Sequence, residues 1–198
     1  MANFGYETLG TGGNIDIENY IRGSVFTMGA EVGQTADSIT AGLKYVTGEW
    51  TGKIKCAIYL HGTLAYVGVT EERTITLTST STWYTFNFIA PKPSLTASTD
   101  YILSVWAESK TGDAYVVASA PFTNSGHYQS ITYGTFPNPL VPTHSSYKHS
   151  IYCTYTVTGG GVTVKKGSNL AATMTEMLNS KMLFSACNRF PKLTTRRF

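Results

Sequence analysis

Residues 82–108 of this chain read TWYTFNFIAPKPSLTASTDYILSVWAE, and the fold prediction is based on them. Both of its ends are dense in aromatic and β-branched residues, which favour strands. Tyr84, Phe86 and Phe88 occupy alternate positions and are predicted to face the core. Residues 101–106 show the same density of large side chains. The two prolines between the halves cannot donate to a β-ladder and mark a connection. The stretch therefore predicts two central strands of a β-sandwich.

Composition agrees with an all-β protein. The 198 residues fit one domain with an appendage, and 42% of them are hydrophobic while 14% are charged. The charged fraction is well below the usual quarter.

No apolar run approaches the roughly 20 residues that span a bilayer, so no membrane span is expected. The start of the chain has neither a basic nor an apolar region of a signal peptide, so Sec export is not expected.

Turn signals divide the rest of the chain into about eight to ten short strands, which is typical of a sandwich or a jelly roll. One hairpin is predicted from residues 52–60 and 63–69, joined by His61-Gly62. We therefore expect residues 4–157 to form a single antiparallel β-sandwich of jelly-roll type.

Two of the three cysteines are predicted to be small core residues. Cys56 and Cys153 lie in phase with apolar neighbours on their strands. A disulfide between them is the alternative, which spacing in the sequence does not decide. Cys187 lies outside the strand pattern and is expected to be a free thiol.

Three consecutive glycines, 159–161, mark the domain boundary. Residues 1–158 hold eight Lys/Arg and eleven Asp/Glu, a net charge of −3. Residues 159–198 hold seven and one, a net charge of +6, and the two sum to the +3 of the whole chain. The sequence therefore predicts a β-sandwich domain, 1–158, followed by a glycine hinge and a basic arm, 159–198.

The arm is predicted to contain one short helix and to fasten the protein to a neighbour. Its apolar residues recur at helical spacing and continue into an apolar end, and its basic residues follow. The apolar set is Leu170, Met174, Met177, Leu178, Leu183 and Phe184, and the basic set is Arg189, Lys192, Arg196 and Arg197. The alternative is that the arm folds back on its own sandwich. Nucleic acid is a disfavoured target, because four dispersed basic residues make no patch.

No catalytic motif is found: nucleophile elbow, zincin helix, P-loop and dinucleotide fingerprint are all missing from the sequence. The adjacent acids Glu71 and Glu72 face opposite sides of a strand and cannot flank one bond. The four histidines share no ligand spacing. Asp16 and Glu18 are the one weak candidate for structural calcium, and a solvated strand face is the favoured interpretation. We expect no catalysis and no cofactor.

Aromatic residues outside the predicted strands indicate a binding function. Trp50, Tyr128, Tyr133 and Phe136 are predicted to form an exposed platform that stacks on sugar rings. The alternative is that these rings are buried between subunits or pin a long irregular segment.

The block from Trp83 to Trp106, preceded by GKIKCAIY at residues 52–59, resembles a jelly-roll domain of archaeal and bacterial surface proteins and of viral fibre or capsid-associated proteins. The resemblance covers about residues 4–157 and implies a fold and a virion or cell-surface setting without naming a ligand. The expected function is that of a non-enzymatic structural subunit of a homomeric assembly, such as a capsid, decoration, fibre or tail protein. Its expected partners are copies of itself and other assembly subunits. The alternative is a lectin-like module that binds cell-surface glycans.

Overall fold

The computed structural model describes residues 1–110, 112–119, 122 and 125–157. Within these residues the chain forms strands and no helix, and no helix there is long and apolar enough to cross a membrane. The strands are β1 (Ala2–Gly5), β2 (Gly13–Asp16), β3 (Tyr20–Thr27), β4 (Gln34–Lys44), β5 (Trp50–Leu60), β6 (Tyr66–Val69), β7 (Arg73–Leu77), β8 (Thr82–Asn87), β9 (Ser94–Leu95), β10 (Asp100–Ala107), β11 (Tyr115–Ser119), β12 (Gly126–Ser130), β13 (Thr143–Ser145), β14 (Lys148–His149) and β15 (Ile151–Val157).

These strands form two antiparallel sheets. Sheet 1 runs β1-β15-β4-β11-β14, with β2 paired to β11 and with β8 and β9 paired to β4. Sheet 2 runs β13-β12-β3-β10-β5-β6, with β7 paired to β5. The predicted antiparallel β-sandwich is confirmed, and so is the hairpin of β5 and β6. Jelly-roll connectivity stays a prediction, and the predicted helix of the arm lies outside the described residues.

The main core lies between the two sheets. Alternate residues of β4, such as Ile39 and Ala41, are fully buried there against side chains of β5 and β10. Cys56 and Cys153 both lie in this core as free thiols, as their phase in the sequence predicted. Burial raises the pKa of both thiols well above the ordinary value, so they stay protonated.

The prediction that residues 82–108 supply two central strands is half wrong. The second half, β10, lies between β3 and β5 in the middle of sheet 2. The first half, β8, belongs to sheet 1 and pairs along its length only with β4 among the described strands. Alternation fixed the inward face of β8 correctly, since Phe86 and Phe88 are buried. Edge and central positions differ in hydrogen-bonding partners, which alternation does not encode.

Charged side chains cover the free edge of β8. Arg73 donates to the carbonyl oxygen of Thr85, and the Glu71 carboxylate accepts hydrogen bonds from the backbone and side chain of Asn87 at 3.1 and 3.0 Å. An uncovered edge strand is a template for pairing with other chains. Glu71 and Arg73 therefore protect this edge.

Sheet 2 is buried on its outer face as well. Ile102 and Trp106 of β10 point away from the main core, yet both are fully buried. Residues 131–140 form a loop that crosses this face and packs Phe136 and Leu140 onto it. A second, smaller core thus lies outside the sandwich, and it determines where the aromatic residues of the loop are placed.

Candidate functional site

The predicted glycan platform does not form. Trp50 and Phe136 are 2% and 7% exposed, so neither ring is available for stacking. Trp50 lies in the core between the sheets. Tyr133 and Phe136 belong to the loop at residues 131–140 and point from it toward sheet 2. Tyr128 lies elsewhere, on β12 beside Arg22. Tyr133 and Phe136 were predicted as exposed because the sequence does not reveal that the outer face of sheet 2 is covered, and Trp50 because it was assigned to a turn and not to β5.

Lys55 is the centre of the aromatic cluster under this loop. Its ammonium nitrogen lies 4.6 Å from the ring centre of Tyr133 and 5.5 Å from those of Trp106 and Phe136. It also donates to the carbonyl oxygen of Gly134. Burial lowers the pKa of Lys55 from its ordinary value, with Glu72 opposing that shift. The lysine holds the loop to sheet 2 through cation–π contacts and a charge-assisted hydrogen bond.

A cleft of about 360 Å³, the Lys55 cleft, lies beside this cluster and is lined in part by Tyr66, Phe136 and Asn138. Two of its polar groups already have partners within the fold. Lys55 is bound by Gly134, and the Asn138 side-chain oxygen accepts the backbone N–H of Tyr66 at 3.1 Å. The polar groups of the Lys55 cleft therefore serve to hold the loop at residues 131–140 to sheet 2.

A second cleft, of about 460 Å³, is lined by residues of both sheets. Its lining includes Asn14 and Asp16 of sheet 1, Tyr20, Arg22 and Tyr128 of sheet 2, and Tyr147. We call it the Arg22 cleft. The Arg22 guanidinium carbon lies 4.6 Å from the ring centres of both Tyr20 and Tyr128. Tyr128 is the direct cross-strand partner of Arg22, so pairing of β3 with β12 creates this stack.

Backbone contacts fix the orientation of the charged groups in the Arg22 cleft. Arg22 Nε donates to the backbone oxygen of Asp16 at 2.8 Å, and the Asp16 carboxylate accepts the N–H of Glu18 at 2.8 Å. Burial lowers the pKa of Arg22 and raises that of Asp16. Both side chains are therefore held in place. The terminal nitrogens of Arg22 and the second carboxylate oxygen of Asp16 are not used in these contacts.

Glu18 does not act beside Asp16 as a calcium ligand pair. Its side chain is buried and accepts the backbone N–H groups of Lys110 at 2.8 Å and Ala114 at 3.0 Å. Burial is the largest influence on its pKa and raises it. No group of three or more acidic, cysteine or histidine side chains within the described residues is arranged to hold a metal ion. Glu18 instead fixes the turn that follows β10.

Three histidines come together although their spacing in the sequence gives no sign of it. The ring centre of His127 lies 5.5 Å from that of His61 and 4.7 Å from that of His144, both in edge-to-face geometry. His127 is buried, and burial together with the two neighbours lowers its pKa to about 4. Pairing of β12 with β13 sets His127 opposite His144, a register that only the folded sheet shows.

The fourth histidine pairs with a serine inside the sandwich. His149 Nδ1 lies 2.9 Å from Ser24 Oγ, and both residues are fully buried. Burial lowers the pKa of His149 to about 3, with the Arg22 charge adding to the shift. An imidazole with this pKa is a weak general base near neutral pH, and no substrate reaches a fully buried hydroxyl. This contact is therefore a structural link between β3 and β14.

Ten adjoining outward positions on four strands of sheet 1 carry no charged side chain. Charged residues border them: Asp37 and Lys44 of β4, and Glu7 and Glu71, whose carboxylates accept hydrogen bonds from Asn3 and Asn87. Phe4, Ile39, Phe86 and Cys153 face the core, so the alternate positions face outward. The outward set comprises Asn3, Gly5, Ser38, Thr40, Gly42, Trp83, Thr85, Asn87, Tyr152 and Thr154. The rings of Trp83 and Tyr152 meet edge-to-face at 5.3 Å at the centre of this surface. We call it the sheet 1 face.

The residues of the predicted arm, from Leu170 to Arg197, lie outside the described part of the chain. Their roles stay predictions from sequence.

No protein-family model matches this chain, and no curated protein matches it.

Proposed function

We propose that this protein is a non-enzymatic structural subunit of a homomeric assembly, in a virion or on a cell surface, and that the sheet 1 face is where copies meet. The observation that carries the proposal is an uncharged patch of ten adjoining outward positions on four strands, which charged residues surround. Surfaces that remain in water usually carry about a quarter to a third charged residues. Interface cores are depleted of charge and enriched in tyrosine and tryptophan, as this face is.

The occupant we propose is a second copy of the same face. The central residues, Thr40 and Ser38, are 3% and 7% exposed, so neighbouring side chains cover them. Thr40 and Thr85 satisfy each other through a hydrogen bond of 2.9 Å between their hydroxyls. Hydroxyls that are already covered and paired lose little when water leaves the surface, and two-fold symmetry lets one such patch cover its own copy.

The size of the face indicates that a second contact is needed. Four strands about 4.8 Å apart and five residues of about 3.4 Å each give a footprint of roughly 320 Å². A stable interface buries about 800 Å² on each partner. The segment 159–198, with a net charge of +6, is proposed to supply the remainder against the net charge of −3 of a neighbouring sandwich.

A charge placed in the middle of the face tests the proposal. Thr154 lies on β15 between β1 and β4, and Thr154→Glu introduces a carboxylate that association would have to bury. Sedimentation velocity is expected to show at least tenfold weaker self-association for this variant. Thr74→Glu is the matched control, because Thr74 is exposed on β7 of sheet 2. Equal self-association of the two variants would remove the sheet 1 face from the proposal.

Carbohydrate binding is the second candidate function, and the Arg22 cleft is the observation that favours it. The cleft combines three tyrosine rings with carboxylate, amide and guanidinium groups. Such a mixture suits a sugar, which has apolar ring faces and polar edges. A glycan array with purified protein tests this candidate, and binding to no glycan would count against it.

A further inference from the structure

We propose that the Arg22 cleft binds a neutral saccharide unit, a single ring with several free hydroxyl groups, as the local site of the carbohydrate-binding candidate function. The proposal does not depend on self-association. It rests on how Arg22 is held, on which polar atoms remain without partners, and on the net charge of the cleft.

Arg22 is fixed in place yet retains most of its donors. The rings of Tyr20 and Tyr128 hold its guanidinium, each with its centre 4.6 Å away, and Nε is bound to the Asp16 backbone oxygen. A guanidinium has five N–H groups, so four remain on the two terminal nitrogens. No hydrogen bond or ion pair to those nitrogens is recorded among the described residues. These four N–H groups are fixed in position and unpaired, so they can bind a ligand that is rich in hydrogen-bond acceptors.

Acceptors lie in the same cleft as these donors. One oxygen of the Asp16 carboxylate binds the Glu18 backbone, and the other has no hydrogen bond within the described part of the chain. The side chains of Asn14 and Tyr147 line the same space and form no side-chain hydrogen bond there. A sugar hydroxyl both donates and accepts, so a cleft that offers donors and acceptors together suits it better than it suits a purely anionic or cationic group.

The charges decide for a neutral ligand. Arg22 and Asp16 line the cleft and contribute one positive and one negative charge. These two charges sum to zero. A carboxylated or sulfated sugar would add an unbalanced charge to a partly desolvated site, which disfavours it. Neutral hydroxyl groups meet no such penalty.

The contrast with the Lys55 cleft supports this assignment. In the Lys55 cleft the lysine and the asparagine are bound to backbone groups of the fold. In the Arg22 cleft the fold uses Nε of Arg22 and one carboxylate oxygen of Asp16, and the other side-chain polar atoms of these two residues form no hydrogen bond within the described residues. The volume of about 460 Å³ also lies within the range of small-molecule sites, about 300–1,000 Å³.

The test titrates the full chain with methyl glycosides of glucose, galactose, mannose, N-acetylglucosamine and glucuronate, and follows the binding by ¹H–¹⁵N NMR. We expect at least one neutral glycoside to shift the amide signals of Arg22 and Tyr128 with a dissociation constant of about 0.1–10 mM, the range of a single small contact. Arg22→Met, which keeps the apolar stem, and Tyr128→Ala are each expected to weaken binding at least tenfold.

Arg73→Met is the matched control, because Arg73 also lies over an aromatic ring, that of Phe86 at 5.6 Å, but outside the cleft. It is expected to bind the glycoside like the unmodified chain. Binding that survives both Arg22→Met and Tyr128→Ala overturns this site but leaves carbohydrate binding standing. Preference for glucuronate over glucose overturns the charge argument. Binding to no glycoside overturns both the site and the candidate function.

Discussion

Removing the charge of Lys55 is predicted to release the loop at residues 131–140 from sheet 2. Lys55→Met keeps the apolar stem and deletes the ammonium group. A partly desolvated cation–π contact contributes about 1–2 kcal/mol, and a hydrogen bond from a charged donor about 1.5–3 kcal/mol. The partial burial of the ammonium, seen in its lowered pKa, opposes these gains. The expected net loss is about 1–2 kcal/mol, local to the loop.

Hydrogen exchange measures that loss where it occurs. The N–H of Ile131 binds the Asn19 oxygen and the N–H of Leu140 binds the Leu64 oxygen, both at 2.9 Å, so their exchange reports opening of the loop. A loss of about 1–2 kcal/mol corresponds to exchange about 5- to 30-fold faster. The amide of Leu103, in the centre of sheet 2, is expected to change less.

Lys44→Met is the control, since Lys44 is half-buried on β4 and far from this loop in sheet topology. Its effect on the exchange of Ile131 and Leu140 is expected to be negligible. If Lys55→Met leaves exchange at these two amides unchanged, the aromatic rings and backbone hydrogen bonds hold the loop unaided, and the reasoning about Lys55 is refuted.

Three further predictions concern buried groups. Burial lowers the pKa of His149 to about 3 and that of His127 to about 4, below the ordinary value of 6.5. Between the lowered pKa and 6.5 the unfolded chain binds more protons than the folded one, so the free energy of unfolding falls as the pH falls. Each histidine contributes at most about 1.4 kcal/mol per pH unit in that window, and urea unfolding of His127→Gln at pH 7, 6 and 5 should show a shallower decline. Cys56 and Cys153 should not react with a thiol reagent until the protein unfolds, and mass mapping of a labelled native sample that found either would contradict their burial. Glu18→Gln should lower the free energy of unfolding by about 1–3 kcal/mol, because an amide has one acceptor oxygen for two backbone N–H groups; an unchanged urea midpoint would show that these bonds are not needed.

The sequence predicted local features of the fold well. The inward faces of Phe86 and Phe88, the core positions of Cys56 and Cys153, and the β5–β6 hairpin all follow from periodicity and turn residues, which act over a few neighbours. The edge position of β8 did not follow, because it depends on which distant strand pairs with it.

The candidate site was mostly beyond the sequence. Arg22 was not singled out, since its importance comes from Tyr128, which is opposite it across a ladder between residues more than a hundred positions apart. The meeting of His61, His127 and His144 has the same origin. The chemical character of a residue is visible in sequence, but its register partner in a long-range sheet is not. Tyr128 was predicted as a sugar contact, and it lies in the Arg22 cleft, where that role stays a prediction.

The mass of the protein in solution reports its self-assembly. Light scattering after size exclusion should give the full chain a mass that is a multiple of 21.5 kDa and rises with concentration. The chain truncated after Thr158 should stay folded by circular dichroism and elute as a monomer. A full chain that is monomeric at every concentration, or a truncated chain that assembles as well as the full one, would contradict the account.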